Sequence, residues 1–146
     1  MKTRILAGTF VVVMVVMVLL ALGQQAQAKA EPALAIDNVF AALSSGEVDA
    51  ALASFANDAI VENRVRGDTY TGASEIRQML QAAYKPGRQF EVVDVETAGD
   101  TIIAKIEVSD RGIVWGTETI VALVKDGLIQ SLEVAAFRLD LWRIGK

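Results

Sequence analysis

The sequence of 146 residues contains no cysteine and no histidine, and it has few aromatic residues. The absence of cysteine excludes disulfide bonds, a thiolate nucleophile, an iron–sulfur cluster and a cysteine-ligated zinc ion. The absence of histidine excludes a Ser-His-Asp triad and an imidazole metal site. Acid–base chemistry would have to use Asp, Glu, Tyr or Lys side chains, and we expect neither a metal nor a cofactor.

The charge balance argues against one class of partner. The chain carries 14 basic and 18 acidic residues, for a formal net charge of −4. A protein that binds nucleic acid independently of sequence needs a basic surface, so we expect no nucleic-acid partner. The length suits one domain.

Residues 1–28 have the order of a signal peptide. Lys2 and Arg4 precede an apolar run over residues 5–22, and Ala26-Gln27-Ala28 fits the small-x-small cleavage pattern. The alternative is an uncleaved membrane anchor, because the apolar run lies at the lower edge of the length that spans a bilayer. Both interpretations predict export of a domain over residues 31–146, either secreted or held in the cell envelope.

Helices come first in this domain. Apolar residues at helical spacing predict a helix that opens at Glu31-Pro32 and ends at Ser44-Ser45-Gly46. A second short helix is predicted over residues 48–55, and Asn57-Asp58 is predicted to break it.

Extended segments are predicted over residues 59–65 and 70–72. Ser74 is the expected N-cap of a third helix over residues 75–84, whose apolar residues recur on one face. From Gln89 onward the hydrophobic period changes to two, which predicts four strands, over residues 90–97, 101–109, 113–124 and 128–139.

The short turns between these strands predict an antiparallel sheet. Lys125-Asp126-Gly127 is a strong hairpin signal. Helices followed by strands indicate an α+β domain. Because such a sheet is covered by helices on one face only, we expect a homodimer.

The run from Phe40 to Leu80 resembles the NTF2-like superfamily, in its SnoaL-like and ketosteroid-isomerase-like branch. The shared elements are Gly46-Glu47, the Phe-x-x-Asp-Ala sequence over residues 55–59, Gly72, Ile76-Arg77 and the Lys-Asp-Gly-Leu-Ile hairpin at residues 125–129. The resemblance covers residues 34 to 138. It implies a cystatin-like cone, in which N-terminal helices pack on a curved antiparallel sheet around a pocket. It does not imply one chemistry, because the fold hosts several.

The isomerases of this branch provide a residue-by-residue comparison. Their general base falls on Asn63, and an amide cannot accept a proton at neutral pH. Their oxyanion-hole tyrosine falls on Val39, and their oxyanion-hole aspartate falls on Thr119 or, one residue earlier, on Glu118. The resemblance therefore argues against ketosteroid isomerase activity and assigns no catalytic residue.

Strand alternation predicts which residues line the pocket. Trp115, Thr117 and Thr119 are expected on the inner face and Glu118 on the outer face. The complete predicted ligand-binding set is Val39, Phe40, Phe55, Asn63, Met79, Trp115, Thr117 and Thr119. The same residues would also suit a filled core.

Two charged sets remain open. Glu62 and Glu118 are either a carboxylate pair in the pocket or solvated sheet charges, and strand alternation favours the latter. Arg64 and Arg66, with Asp68, are either an anion site near the mouth of the cone or exposed hairpin charges.

We therefore predict an exported, non-catalytic domain that binds a small apolar ligand or a protein partner in or around the pocket. The first alternative is a lyase, cyclase or isomerase that uses Asn63 and Thr119, with Asp58 or Glu118. The second alternative is a dimerisation module.

Overall fold

The computed structural model describes residues 32–140, so the predicted signal peptide lies outside the described residues. The described chain contains three helices and six strands. They are α1 (32–44), α2 (Val48–Leu52), β1 (Phe55–Asn63), β2 (Asp68–Thr71), α3 (Gly72–Ala83), β3 (Arg88–Ala98), β4 (Thr101–Asp110), β5 (Ile113–Lys125) and β6 (Leu128–Leu139).

Helix α1 packs on the sheet through one apolar face. Ile36, Val39 and Leu43 on this face are at most 3% exposed. As predicted, the helix ends just before Ser45-Gly46. Gly46 has a φ of +76°, and a Cβ atom at this position would lie 2.9 Å from the Tyr84 ring. Glycine therefore permits both the left-handed turn and the close approach of Tyr84.

The second helix is shorter than predicted. Helix α2 ends at Leu52, and β1 already begins at Phe55. Asn57-Asp58, predicted to break a helix, lies within this strand. These residues interrupt the pairing of the strand instead, because the register between β1 and β6 shifts between Phe55 and Ile60.

Helix α3 begins two residues earlier than its predicted N-cap. The cap is Thr71 rather than Ser74, and the carboxylate of Glu75 accepts a hydrogen bond from the Thr71 backbone N–H at 2.7 Å. The side chains of Ile76 and Leu80 are buried, as the apolar stripe predicted. A glutamate in the first helical turn thus supplies the acceptor that the cap side chain does not.

The six strands form one sheet in the order β2-β1-β6-β5-β4-β3. All neighbouring pairs are antiparallel except β1 and β6, which are parallel. The prediction of an antiparallel sheet is therefore correct for the hairpin-connected strands. It is wrong for this pair, whose strands are far apart in the sequence.

The hairpin between β5 and β6 follows its turn chemistry. Asp126 and Gly127 have φ angles of +52° and +74°, and Arg111 and Gly112, between β4 and β5, have +51° and +81°. Two successive positive φ angles are typical of a type I′ turn, whose twist matches that of paired strands. Both hairpins are thus specified locally.

A single hydrophobic core lies between the helices and one face of the sheet. It joins residues of α1, α3 and β1 to the alternate residues Ile102, Ala104 and Ile106 of β4 and Ile120 of β5. The fold class is therefore α+β, as predicted. Within residues 32–140, none of the helices has the length and apolar character that a membrane span requires.

Candidate functional site

A cavity of about 260 Å³ extends from this core towards the end of the sheet where β3, β4 and β5 meet. Polar and apolar atoms contribute about equally to its surface. The apolar residues that line it are Val39, Phe40, Leu43, Phe55, Val61, Met79, Leu80, Ala82, Ala83, Phe90, Val108, Leu132 and Val134. The residues that bring polar or charged groups are Asn63, Arg66, Tyr70, Lys85, Arg88, Trp115 and Glu118. A concave site that combines apolar side chains with placed polar groups is typical of a small-molecule site.

Six of the eight predicted ligand-binding residues line this cavity. Those six are Val39, Phe40, Phe55, Asn63, Met79 and Trp115. Thr117 and Thr119 do not line it, and Glu118, which was predicted to face outward, does. The strand alternation used for β5 was therefore wrong beyond Trp115.

A bulge at Trp115 explains this error. In the ladder with β4, Val108 pairs with Gly116 but Ser109 pairs with Val114, so Trp115 is an extra residue. An extra residue reverses the alternation of side chains on either side of it. Trp115 and Glu118, three positions apart, consequently line the same cavity.

Glu118 is the only carboxylate among the cavity-lining residues. Burial raises the pKa of its carboxyl group above the ordinary value, while the positive charges of Arg66 and Arg88 act in the opposite direction. A carboxyl group with a raised pKa keeps its proton to higher pH and can then donate a hydrogen bond. Within residues 32–140 it is the one lining residue whose pKa is shifted.

Arg88 holds one side of the cavity through two contacts. Its Nε and Nη2 donate to the two oxygens of Asp110, at 3.3 and 3.0 Å. The hydrogen bond from Arg88 lowers the pKa of Asp110. The guanidinium also lies 5.3 Å from the centre of the Trp115 ring, within the range of a cation–π interaction.

Trp115 is fixed by its neighbours but keeps an unused hydrogen-bond donor. Its ring lies 5.3 Å from the Phe137 ring at an interplanar angle of 54°. Its Nε1–H is buried and has no acceptor within the described residues. A buried donor without an acceptor is unfavourable, which marks Trp115 as a residue whose hydrogen-bonding capacity the protein itself leaves unused.

Thr117 holds the end of β6. Its hydroxyl donates to a carboxylate oxygen of Asp140 at 3.2 Å, and the Asp140 backbone N–H donates to the Trp115 carbonyl at 3.1 Å. Asp140 is only 4% exposed, and Arg138 forms an ion pair with it. The sequence analysis did not identify Asp140 as a buried group.

Of the other charged residues considered from the sequence, Arg66 alone lines this cavity. Arg64 pairs with Glu133 at 2.9 Å, and Glu62 is exposed, as its strand position predicted. Arg66 lines the cavity whereas Arg64 does not. Asp58 lines a groove beside α2, which holds about 540 Å³ and opens broadly to solvent.

No group of three acidic residues within residues 32–140 is placed to hold a metal ion. Glu118 can exchange a proton, Trp115 and Tyr70 can donate hydrogen bonds, and Arg66, Lys85 and Arg88 carry positive charge. The predicted pocket set did not include Arg88 and Lys85, which lie on either side of the Pro-Gly turn after α3.

Comparison with known proteins places this geometry in a family. The family model that describes SnoaL-like domains matches residues 36–132 of the sequence. A protein from Sinorhizobium meliloti, provisionally assigned as a polyketide cyclase, is 31% identical. Its structure matches with a TM-score of 0.59 over 68% of this chain and 91% of its own. Among curated proteins, none matches significantly.

More distant structures share the fold. An NTF2-like protein of unknown function from Burkholderia xenovorans is 16% identical and has a TM-score of 0.64, over 77% of this chain and 84% of its own. An LEH-like epoxide hydrolase from M. tuberculosis is 18% identical and has a TM-score of 0.59, over 79% and 86% of the respective chains. Such low identities show the fold and not the activity.

Proposed function

Since this chain belongs to the SnoaL-like domain family, whose fold serves several chemistries, we propose its function from its own cavity: it binds a small, mainly apolar ligand there without transforming it. The observation that carries this proposal is the partly enclosed cavity itself. Apolar side chains line its deeper part, Glu118 lines the same cavity, and the Nε1–H of the lining residue Trp115 is buried without an acceptor.

The volume limits the size of the ligand. An apolar cavity of about 150 Å³ is enough to hold one benzene ring. A cavity of about 260 Å³ therefore suits a compact molecule of one or two rings. A hydroxyl or carbonyl oxygen on such a ligand would accept a hydrogen bond from Trp115, which fixes the orientation of the ligand in an otherwise apolar site.

The absence of catalysis is proposed from the side chains at three positions. In the isomerases that the sequence resembles, these positions hold an aspartate base, a tyrosine and an aspartic acid. Here the first two positions hold Asn63 and Val39, and the third falls on Thr119 or, one residue earlier, on Glu118; of these, Asn63, Val39 and Glu118 line the cavity. Asn63 cannot take up a proton at neutral pH, so the cavity lacks the base of that reaction.

One observation favours an enzyme as a second candidate. Glu118 lines the cavity, and burial raises its pKa, which is the direction of shift that favours a general acid. In that case Glu118 would donate a proton to the ligand, or take one from it. Turnover that Glu118→Gln abolishes, while ligand binding persists, would establish this candidate in place of the first.

The binding proposal is tested with naphthalen-2-ol as the probe. The chain has two tryptophans, so Trp142→Phe leaves Trp115 as the only source of an indole N–H signal in a ¹⁵N-correlated NMR spectrum. We expect a saturable shift of that signal on titration. Ala83→Phe, which fills the cavity, should abolish the shift, whereas the matched change Ala98→Phe at an exposed position outside it should not. An indole signal that does not move would refute the proposal.

Export and dimerisation complete the proposal. The basic residues and apolar run before Ala28 support export, and an N-terminus at Lys29 in protein recovered from outside the cytoplasm would test it.

The sheet face opposite the helices carries Ile60 and Ile103, 42% and 43% exposed, and we propose that it pairs with a second copy. A monomeric mass in sedimentation at micromolar concentration would refute the dimer.

A further inference from the structure

The charges around the cavity are unlike those of the rest of the chain. Residues 32–140 contain many more acidic than basic side chains, yet the cavity is lined by the three cations Arg66, Lys85 and Arg88 and by one carboxylate, Glu118. The lining of the cavity therefore carries a net positive charge, although the net charge of the whole chain is −4. A site lined by one sign of charge attracts ligands of the opposite sign.

The three cations differ in whether their charge is already balanced. Arg88 forms a two-point ion pair with Asp110. Within residues 32–140, neither Arg66 nor Lys85 has a carboxylate at ion-pair distance. The backbone N–H of Arg66 donates to Asn63, with 3.0 Å to its side-chain oxygen and 3.2 Å to its carbonyl oxygen. Arg66 acts on Glu118, and Lys85 on Asp110, only through Coulomb attraction without an ion pair, so neither cation is held by a direct carboxylate contact.

The positions of these two cations are also informative. Arg66 lies in the turn between β1 and β2, and Lys85 follows Tyr84, the C-cap of α3, so they come from separate loops that reach the same cavity. Both residues are exposed, which places them at its mouth, whereas the apolar wall lies deeper. A ligand that satisfies both regions has an apolar body and a negatively charged end.

We propose that the natural ligand is a small apolar acid, whose ring system fills the cavity and whose carboxylate lies between Arg66 and Lys85 at the mouth. This inference rests on the proposed binding function and adds the chemical class of the ligand. Glu118 is the one carboxylate among the lining residues, and the three cations Arg66, Lys85 and Arg88 outnumber it. Arginine and lysine together are suited to a carboxylate, which accepts hydrogen bonds at both of its oxygens.

The test compares two probes of nearly the same shape, naphthalene-2-carboxylate and naphthalene-2-carboxamide, by calorimetric titration of the purified protein at pH 7. We expect the carboxylate to bind roughly three- to tenfold more tightly at low salt, the range for two partly exposed ion pairs, and the difference to shrink as salt is added. In the double variant R66Q/K85Q the two affinities should become equal, while the affinity of the carboxamide changes less than about twofold.

Arg64→Gln is the matched control, because Arg64 is an exposed cation of the same turn that pairs with Glu133 and does not line the cavity. It should leave the preference intact. Equal affinities in the unaltered protein, tighter binding of the carboxamide, or a preference that survives in R66Q/K85Q would overturn the inference and leave the proposed binding function standing. Failure of both probes and of naphthalen-2-ol to bind would overturn both.

Discussion

Replacing Gly116 by alanine should destabilise the domain and disturb the cavity together. Gly116 follows the bulged residue Trp115, and its φ is not positive, so alanine introduces no backbone strain there. The added Cβ atom would lie 2.4 Å from Cζ of Phe137 and 3.0 Å from the Arg138 carbonyl oxygen. Ordinary contacts begin near 3.4 Å, so the Phe137 ring must move by about 1 Å and the backbone of β6 must also shift.

The size of the effect follows from overpacking. Such insertions into a packed site cost about 1–3 kcal/mol. For a domain of this size that lowers the midpoint of thermal unfolding by roughly 4–12 °C. Because the Phe137 ring packs on Trp115, the same substitution should weaken binding of naphthalen-2-ol.

Urea unfolding followed by circular dichroism measures the loss, and a double-mutant cycle identifies its cause. Phe137→Leu removes the atoms that the new methyl group meets, so the loss from Gly116→Ala should be smaller in that background by about 0.5 kcal/mol or more. Gly116→Ala with a loss below about 0.5 kcal/mol, or a loss that Phe137→Leu leaves unchanged, would refute the packing at the bulge.

Three further predictions concern charge and packing. Glu118→Gln should leave the midpoint of thermal unfolding nearly unchanged at pH 4 and raise it at pH 7. Because the pKa of Glu118 is raised in the folded protein, its contribution to stability is fully present below the unfolded pKa and is lost as the pH rises through the folded pKa. Equal midpoints of the two proteins at pH 7 would contradict this prediction. Asp110→Asn should lower the free energy of unfolding by up to about 1 kcal/mol at pH 7. This difference between the two proteins should vanish as the pH falls through the lowered folded pKa of Asp110. A difference in urea unfolding that persists at low pH would contradict the ion pair with Arg88. Ile120→Val should lower the free energy of unfolding by about 1 kcal/mol, because Ile120 is fully buried. This loss should exceed the loss from Val121→Thr, which lies on the half-exposed face of the same strand. The reverse order of the two losses in urea unfolding would contradict the orientation of β5.

The elements that could be predicted from the sequence are those with local signals. The end of α1 at Ser45-Gly46, the apolar stripe of α3 and the type I′ hairpin at Asp126-Gly127 each depend on residues within one or two turns of chain. The parallel pairing of β1 with β6 has no such signal, because its partners are about 70 positions apart in the sequence and the pairing follows from the whole sheet.

The site was predictable as far as its apolar wall. Val39, Phe40, Phe55 and Met79 were identified because helical spacing already placed them on the core side. The error at Thr117, Thr119 and Glu118 has one cause. Alternation fixes a strand's inner face only while every residue is paired, and the three apolar residues Ile113-Val114-Trp115 give no sign of which one is extra.

The central claim is that the cavity beside Trp115 and Glu118 binds a small apolar ligand, and a crystal structure with a brominated probe tests it most directly. Crystals grown with 6-bromonaphthalen-2-ol would reveal the probe through the anomalous signal of bromine. We expect the signal among the apolar residues of the cavity wall, with the probe oxygen within hydrogen-bond distance of Trp115 Nε1. A cavity without the probe, or bromine found only on the outer face of the sheet, would contradict the account.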